Sequence, residues 1–148
     1  MAAERWRRGR FTISTDPRRL DAASVHAALA RSYWAKGRPA DVVRRSLKSS
    51  ICFGLYDGRA QIGLARVISD RETFAYLCDV YVDEKSRGAG LGKWLVRCVL
   101  ESKALARVRS WLLMTQDAHG LYKKYGFDFL DDPKRVMGLK RRPPRPRG

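Results

Sequence analysis

The chain has 148 residues, a length that fits one domain and leaves little room for a second. Hydrophobic residues make up 45% of it and charged residues 31%, the composition of a globular protein with extra charge. Three cysteines and two histidines exclude a paired disulfide framework and any familiar zinc spacing. The apolar runs fall far short of the roughly 20 residues that span a bilayer, and the first residues lack the apolar stretch of a secretory signal. We therefore expect reduced thiols, no metal, no membrane contact and a cytoplasmic location.

The formal net charge of +16 is concentrated at the two ends of the chain. Residues 1–10 contain four arginines and one glutamate, and residues 140–148 contain five basic residues and no acid. This pattern predicts a basic N-terminal segment (1–10), a folded domain (11–140) and a disordered basic tail (141–148). Positive charge attracts phosphates of any kind, so we expect nucleic acid to bind only weakly and non-specifically.

The first half of the chain predicts one strand, two helices and a hairpin. Residues 11–15 alternate between apolar and polar side chains, as in a short strand. Asp21 is the predicted N-cap of the first helix, and Pro39 the predicted first residue of the second. The pair Asp57-Gly58 is typical of a tight turn between two strands. Those strands are predicted at 51–56 and 60–68.

The second half begins with a predicted central strand, residues 74–82. Its apolar side chains occupy both faces, which indicates a strand covered on both sides. Asp79 is the only residue in it that is charged at neutral pH, and a buried carboxylate needs a partner or a function. The remaining elements are predicted as a helix (91–105), a strand (111–115), a short helix from Asp117 to Tyr125 and two closing strands (127–130 and 135–139). This order predicts an α/β protein of the α+β type, with a central mixed sheet flanked by helices.

A glycine-rich segment, RGAGLGK, joins the central strand to the following helix. Its glycines let backbone N–H groups approach an anion closely, and the helix N-terminus adds its own N–H groups and positive dipole end. Its spacing differs from that of a Walker loop, which needs a hydroxyl after the lysine, and from GxGxxG. The pattern [QR]xxGx[GA] matches Arg87–Gly92 at every fixed position. The segment therefore predicts a phosphate site made of backbone.

Together with a second segment, LYKKYGF at 121–127, this turn resembles the GCN5-related N-acetyltransferase (GNAT) family. The resemblance spans roughly Phe11 to Leu139. It implies the GNAT fold, in which two neighbouring strands splay apart around acetyl-CoA. It also implies that the pantetheine arm pairs with the backbone of Val80, Tyr81 and Val82. The residues implied to bind the pyrophosphate are Arg87, Gly88, Ala89, Gly90, Leu91, Gly92 and Lys93.

The resemblance implies an enzyme in which a primary amine attacks the thioester directly, within a ternary complex. Tyr122 corresponds to the family tyrosine near the sulfur, so it is the candidate general acid; the alternative is a packed aromatic side chain. Asp79 is a candidate base or anchor for a cationic amine, and the alternative is a structural carboxylate paired with Arg66. Tyr33 and Trp34 correspond to the region that covers the acceptor, and a role in the core or in a dimer is equally open.

Other residues receive less specific predictions. Asp117 stands where the family often has Asn, and we interpret it as a helix cap. Cys78 lacks a histidine nearby in sequence, so a thiol nucleophile is not expected, and His26 and His119 are interpreted as ordinary helix residues. The acceptor is a small-molecule or peptide amine, and the family resemblance implies a possible homodimer. The alternative function is a non-catalytic binding module whose basic ends recruit it to RNA, the ribosome or another acidic partner.

Overall fold

The computed structural model describes residues 2–145, and the strands within this range form one sheet in the order β1 to β6. All neighbouring strands are antiparallel except β5 and β6, which are parallel. The predicted mixed sheet flanked by helices is confirmed. The strands are β1 (Arg5–Arg8), β2 (Phe11–Ser14), β3 (Ile51–Asp57), β4 (Ala60–Ser69), β5 (Phe74–Val82) and β6 (Ser110–Leu113). The helices are α1 (Ala22–Ala30), α2 (Ala40–Lys48), α3 (Leu91–Glu101) and α4 (His119–Lys123).

The chain divides into two compact units, Met1–Asp117 and Ala118–Gly148. The first unit holds the sheet and α1 to α3, and the second holds α4. In the first, side chains of α1 and α2 form a core cluster with residues of β3 and β4. This cluster consists of Val25, Leu29, Ala35, Val43, Leu47, Cys52 and Leu64.

Several local predictions are confirmed. The Asp21 side chain accepts a hydrogen bond from the Ser24 N–H at 3.0 Å and so caps α1. Gly58 has a φ of 60° in the predicted turn between β3 and β4. Pro39 is one residue from its predicted place, because it holds the N-cap position and α2 begins at Ala40. The third helix is shorter than predicted, because α3 ends at Glu101 and a separate 3-10 turn follows at Lys103–Leu105.

Strand β1 was not predicted, because its sequence RWRR has the composition of a solvated basic segment. Edge strands tolerate charged side chains, since one side of them faces solvent. The ring of Trp6 is half-buried and lies 6.0 Å from that of Phe53, which attaches β1 to the sheet. Gly9, with a φ of 57°, allows the two-residue turn into β2.

The two predicted closing strands are wrong: residues 127–130 and 135–139, all described by the structure, contain no strand. The Asp128 carboxylate accepts the N–H of Phe129 at 2.8 Å, so this donor is used locally and not in a strand ladder. A 3-10 turn at Pro133–Arg135 then interrupts the chain. In the predicted tail, residues 141–145 are exposed with neither helix nor strand, and residues 146–148 lie outside the described residues.

Strand β5 has the predicted bounds, but it is fully covered on one face only. Ala75, Leu77 and Asp79 are buried. On the other face Phe74 is exposed, and Tyr76 is half-buried. The prediction of cover on both faces is therefore wrong, because only the face that carries Ala75, Leu77 and Asp79 is packed against other parts of the chain.

Candidate active site

The glycine-rich turn between β5 and α3 is exposed and built on left-handed backbone. Gly88 has a φ of 91° and Gly90 a φ of 73°, conformations that glycine adopts without penalty. The side chain of Arg87 donates from Nε to the Val82 carbonyl oxygen at 3.1 Å, which ties the turn to the end of β5. A Cβ atom added at Gly88 would meet no heavy atom within 4 Å. The outer surface of the turn is therefore open to a ligand.

The turn leads into the start of α3, which no side chain caps. Gly90 is the N-cap, and its carbonyl accepts the Trp94 N–H at 3.1 Å. N–H groups in the first turn of a helix lie ahead of the helical hydrogen bonds and point along the axis, at the positive end of the dipole. The predicted phosphate residues Arg87–Lys93 thus run from the exposed turn into the first turn of α3, with only the Leu91 side chain buried among them. Free N–H groups in such a position can bind an anion.

Strand β6 ends after four residues, all of which pair with β5. Pairing runs from Phe74 with Ser110 to Leu77 with Leu113, whereas β5 continues to Val82. Over that stretch β5 pairs with β4 only, within the part of the chain that the structure describes. The backbone of residues 80–82 therefore borders a gap beyond the end of β6, where an extended ligand can add itself to the sheet.

Val80, Tyr81 and Val82 are predicted to line this gap, and Tyr81 borders it with its backbone but not with its side chain. Its ring packs against the core cluster. Its hydroxyl is buried without a hydrogen-bond partner among residues 2–145, and this burial raises the pKa of the phenol. The Tyr81 side chain is therefore part of the core.

A β-bulge interrupts β5 at Asp79. Leu64 pairs with Tyr81 and Arg66 with Cys78, so β5 has one more residue than β4 between these pairs. Asp79 has a φ of 50°, a left-handed conformation that is uncommon outside glycine but enriched in aspartate. Bulges of this kind redirect side chains and are frequent next to active sites.

The carboxylate of Asp79 is 4% exposed and accepts three hydrogen bonds. Its Oδ2 atom accepts from Arg66 Nε at 2.8 Å and from Arg38 Nη1 at 2.9 Å. Its Oδ1 atom accepts from the indole Nε1 of Trp34 at 3.0 Å. The structural partner anticipated for Asp79, Arg66, is thus present, and two further donors come from the α1–α2 connection.

The aromatic pair Tyr33 and Trp34 lies in that connection and is attached on both sides of the gap. The two rings meet edge to face with centroids 5.0 Å apart. Trp34 donates to Asp79 in β5, and the Tyr33 hydroxyl accepts the Gln116 N–H, three residues past β6, at 3.0 Å. Both rings are substantially exposed, Trp34 at 42%. Both rings therefore lie beside the gap at the end of β6, outside the core.

A family model described as "Acetyltransferase (GNAT) domain" matches residues 48–128, more than half of the chain. The chain belongs to the GNAT family of acetyltransferases. A Gibberella zeae protein, named as a candidate acetyltransferase, is 35% identical over 142 residues, covering 82% of this chain and 80% of that protein. The crystal structure of a candidate GNAT acetyltransferase from Xanthomonas campestris pv. campestris is 40% identical, with a TM-score of 0.85 and coverage of 88% and 92%.

A more distant structure, from Clostridium acetobutylicum, is described as a predicted acetyltransferase with acetyl-CoA. It has a TM-score of 0.63, 16% identity and coverage of 88% of this chain and 94% of that one. At this identity the likeness concerns the fold alone.

The GNAT candidate acid, Tyr122, lies in α4 of the second unit. Its side chain is buried, with its ring centroid 5.9 Å from that of Phe127 in an edge-to-face arrangement. Gly126 ends this segment with a φ of 96°, as predicted. The predicted cap by Asp117 is wrong: Ala118 holds the N-cap position of α4, and no side chain caps that helix, because α4 begins one residue later than the cap would require.

The cysteines of this GNAT chain are buried or half-buried thiols. Burial raises the pKa of Cys78 to about 11 and those of Cys52 and Cys98 to about 12. A neutral thiol is a poor nucleophile. Across residues 2–145 no group of three or more metal-binding side chains occurs, and no helix is both long and apolar enough to cross a membrane.

Two residues beside the site were not predicted from the sequence. Arg38 joins Asp79 from the α1–α2 connection, which is 41 residues away along the chain. Arg8, in β1, places its guanidinium 4.9 Å from the ring centroid of Trp94 in α3. Trp6 and Arg8 are two residues apart, which is the spacing of side chains on one face of a strand. This spacing was the one signal in the sequence that the basic segment is a strand.

Proposed function

We propose that this chain is an acetyl-CoA-dependent N-acetyltransferase that acts on a primary amine, in a small molecule or a peptide, through a ternary complex. The observation that carries the proposal is the open turn Arg87–Lys93 at the uncapped start of α3, directly after the strand that extends beyond the end of β6. Membership of the GNAT family and the acetyl-CoA in the Clostridium acetobutylicum neighbour support it.

Acetyl-CoA would supply an activated thioester, and the chain's own backbone would hold it in place. The N–H groups of residues 87–93, with the dipole of α3, would bind the diphosphate. The backbone of Val80, Tyr81 and Val82 would pair with the amides of the pantetheine arm. The extra residue of the bulge is left out of the strand ladder, so a backbone N–H near Val80 is suited to stabilise the oxyanion.

In the chemical step the amine nitrogen attacks the carbonyl carbon, and the bond between that carbon and sulfur breaks. The amine loses one proton to solvent, and the departing thiolate gains one. We assign the second proton to the phenol of Tyr122, since a reference pKa of about 10 lets a tyrosine donate to a basic thiolate. The position of Tyr122 within the family pattern LYxxxGF supports this assignment.

Asp79 is proposed as a positioning residue and not as the base. Its two oxygens accept three hydrogen bonds, and two of the donors are guanidinium groups. A carboxylate in these contacts has little capacity left for an incoming amine. Its role would be to hold Trp34, and with it Tyr33, as one wall of the acceptor site.

Two measurements test the proposal. Acetyl-CoA at about 100 times its Kd should stabilise the fold by about 2.7 kcal/mol, seen as a rise in Tm. A thiol-release assay with acetyl-CoA across a broad panel of amines should then identify the acceptor. Coenzyme A is the control, since it should raise Tm without releasing further thiol. No thermal shift, together with tight and salt-sensitive RNA binding, would favour the binding-module alternative.

A homodimer is part of the proposal, and exposed apolar side chains in the second unit support it. Met137 is 92% exposed in a segment that has no strand partner among the described residues. The others in this segment are Phe129, Leu130, Val136 and Leu139. Sedimentation at several protein concentrations tests the assembly.

The three free cysteines support a reducing compartment such as the cytoplasm.

A further inference from the structure

Strand β1 lies along α3, from the end of the helix to its beginning. Glu4, just before β1, accepts the Lys103 N–H at 2.8 Å, just past the end of α3. Arg8, the last residue of β1, lies at the other end of the helix. Its Cζ atom is 4.9 Å from the Trp94 ring centroid, and its Nη1 atom is 3.9 Å from the position that a Cβ would take on Gly90. The strand thus brings an arginine to the glycine-rich turn.

The alternation of a strand explains why Arg8 reaches the turn while its neighbours do not. Trp6 and Arg8 share one face of β1, and Arg5 and Arg7 occupy the other. Trp6 is half-buried, whereas all three arginines of β1, Arg8 included, are exposed. Arg7 therefore has the same charge and the same strand as Arg8 but points away from the turn.

The positive charge of Arg8 lies in an unfavourable position, beside the start of α3. A cation close to a helix N-terminus meets the positive end of the dipole, which is unfavourable. Within residues 2–145 no carboxylate forms an ion pair with Arg8, whereas Arg10, two residues on, pairs with Asp57 at 3.0 Å. The guanidinium and the start of α3 thus present positive charge to the same place, and a bound anion would make both favourable.

We propose that Arg8 donates hydrogen bonds to a phosphate group of acetyl-CoA. This inference rests on the proposed function. It adds a phosphate-binding residue from a distant part of the sequence to the residues of the turn. The face of the guanidinium lies over Trp94, which holds its plane by a cation–π contact and leaves the N–H groups at its edge available. A planar fork of donors matches the oxygens of a phosphate.

The test compares two arginine variants by their Kd for acetyl-CoA. Arg8→Gln should raise this Kd by about tenfold or more, the usual effect of losing a charge-assisted hydrogen bond. Arg7→Gln removes the same charge from the opposite face of β1, and its Kd should stay within about twofold of the parent. Equal effects of the two variants would show that only overall charge matters, and this would overturn the proposal.

Analogues of acetyl-CoA that lack one or more phosphates identify the phosphate that Arg8 contacts. If Arg8 contacts the 3′-phosphate, the loss caused by Arg8→Gln disappears with 3′-dephospho-acetyl-CoA. If it contacts the diphosphate, the loss persists with that ligand and disappears with S-acetylpantetheine. Both results support the proposal. A loss that persists with S-acetylpantetheine overturns it, as does a lower Tm with an unchanged Kd, which would assign Arg8 to packing alone. A parent protein that does not bind acetyl-CoA would instead refute the proposed function.

Discussion

The indole N–H of Trp34 donates to the carboxylate of Asp79 at 3.0 Å and so joins the α1–α2 connection to the bulge of β5. Asp79 simultaneously accepts from Arg66 and Arg38, so one buried carboxylate holds three side chains from two parts of the chain. The contact couples the stability of the sheet to the placement of the exposed aromatic pair. We therefore expect a change at Asp79 to lower stability, and a change at Trp34 to affect the acceptor side of the site.

Asp79→Asn should lower the free energy of unfolding by about 3–5 kcal/mol, because it leaves two guanidinium groups beside an uncharged amide in a buried site. Asparagine tolerates the left-handed backbone, so backbone strain does not contribute. The control is Asp41→Asn, whose exposed ion pair with Arg45 at 2.9 Å should contribute little to stability because solvent screens it. Urea denaturation measures both, and losses of equal size would contradict the structural role of Asp79.

Trp34→Phe should raise the KM for the amine while the Kd for acetyl-CoA stays unchanged. Phenylalanine keeps an aromatic ring but lacks the indole donor, so the ring is no longer held to Asp79. Steady-state kinetics with the identified amine and calorimetry with acetyl-CoA give the two constants. A parallel change in both would mean that Trp34 supports the whole site and not the acceptor side alone.

Gly90→Ala should weaken acetyl-CoA binding and cost about 1–2 kcal/mol of stability, because a Cβ is disfavoured at a φ of 73°. Gly138→Ala is the control: a Cβ there meets no heavy atom within 4 Å, and its φ is not in the left-handed range. Calorimetry with acetyl-CoA and thermal unfolding check the pair. Unchanged affinity in Gly90→Ala would argue against the turn as the diphosphate site.

Tyr122→Phe should lower kcat by about a hundredfold and leave the KM for acetyl-CoA nearly unchanged, because it removes a proton donor and keeps the ring. Tyr125→Phe, three residues along the same segment, serves as the control and should retain the parent rate. Single-turnover measurements ensure that chemistry is being observed. If Tyr122→Phe turns over at the parent rate with chemistry limiting, the assignment of the acid is wrong.

Stability should fall at alkaline pH because of the buried thiols. The pKa of Cys52 is raised from an ordinary 9.0 to about 12, so between these values the unfolded chain loses a proton that the folded chain keeps. The stabilisation is complete below about pH 9 and declines as pH rises, by about 1.4 kcal/mol per pH unit for each such thiol. Cys52→Ser should have a shallower slope in urea titrations between about pH 8 and 11. Parallel slopes for variant and parent would contradict this.

The strongest sequence predictions concerned segments whose signals are local. The N-cap by Asp21, the turn at Gly58, the exact bounds of β5 and the glycine-rich start of α3 follow from dihedral preferences and short-range hydrogen bonds within a few residues. The pattern Arg87–Gly92 belongs to this class, and for that reason the family and the proposed diphosphate site could be inferred from residue order. The failures at 127–130 and 135–139 arise because apolar alternation indicates a strand only where a ladder partner exists.

By itself, the sequence determined the mixed-sheet class of this protein, the GNAT turn and the chemistry that the turn suits. The tertiary structure decided which distant residues join the site: Arg38 and Trp34 at Asp79, and Arg8 beside Gly90. The physical reason is that hydrogen bonds to a buried carboxylate, and the stacking of a guanidinium on an indole, depend on distances between segments that sequence separation does not encode. A backbone site can be read from its own residues, but the side chains that complete it are brought there only when the chain folds.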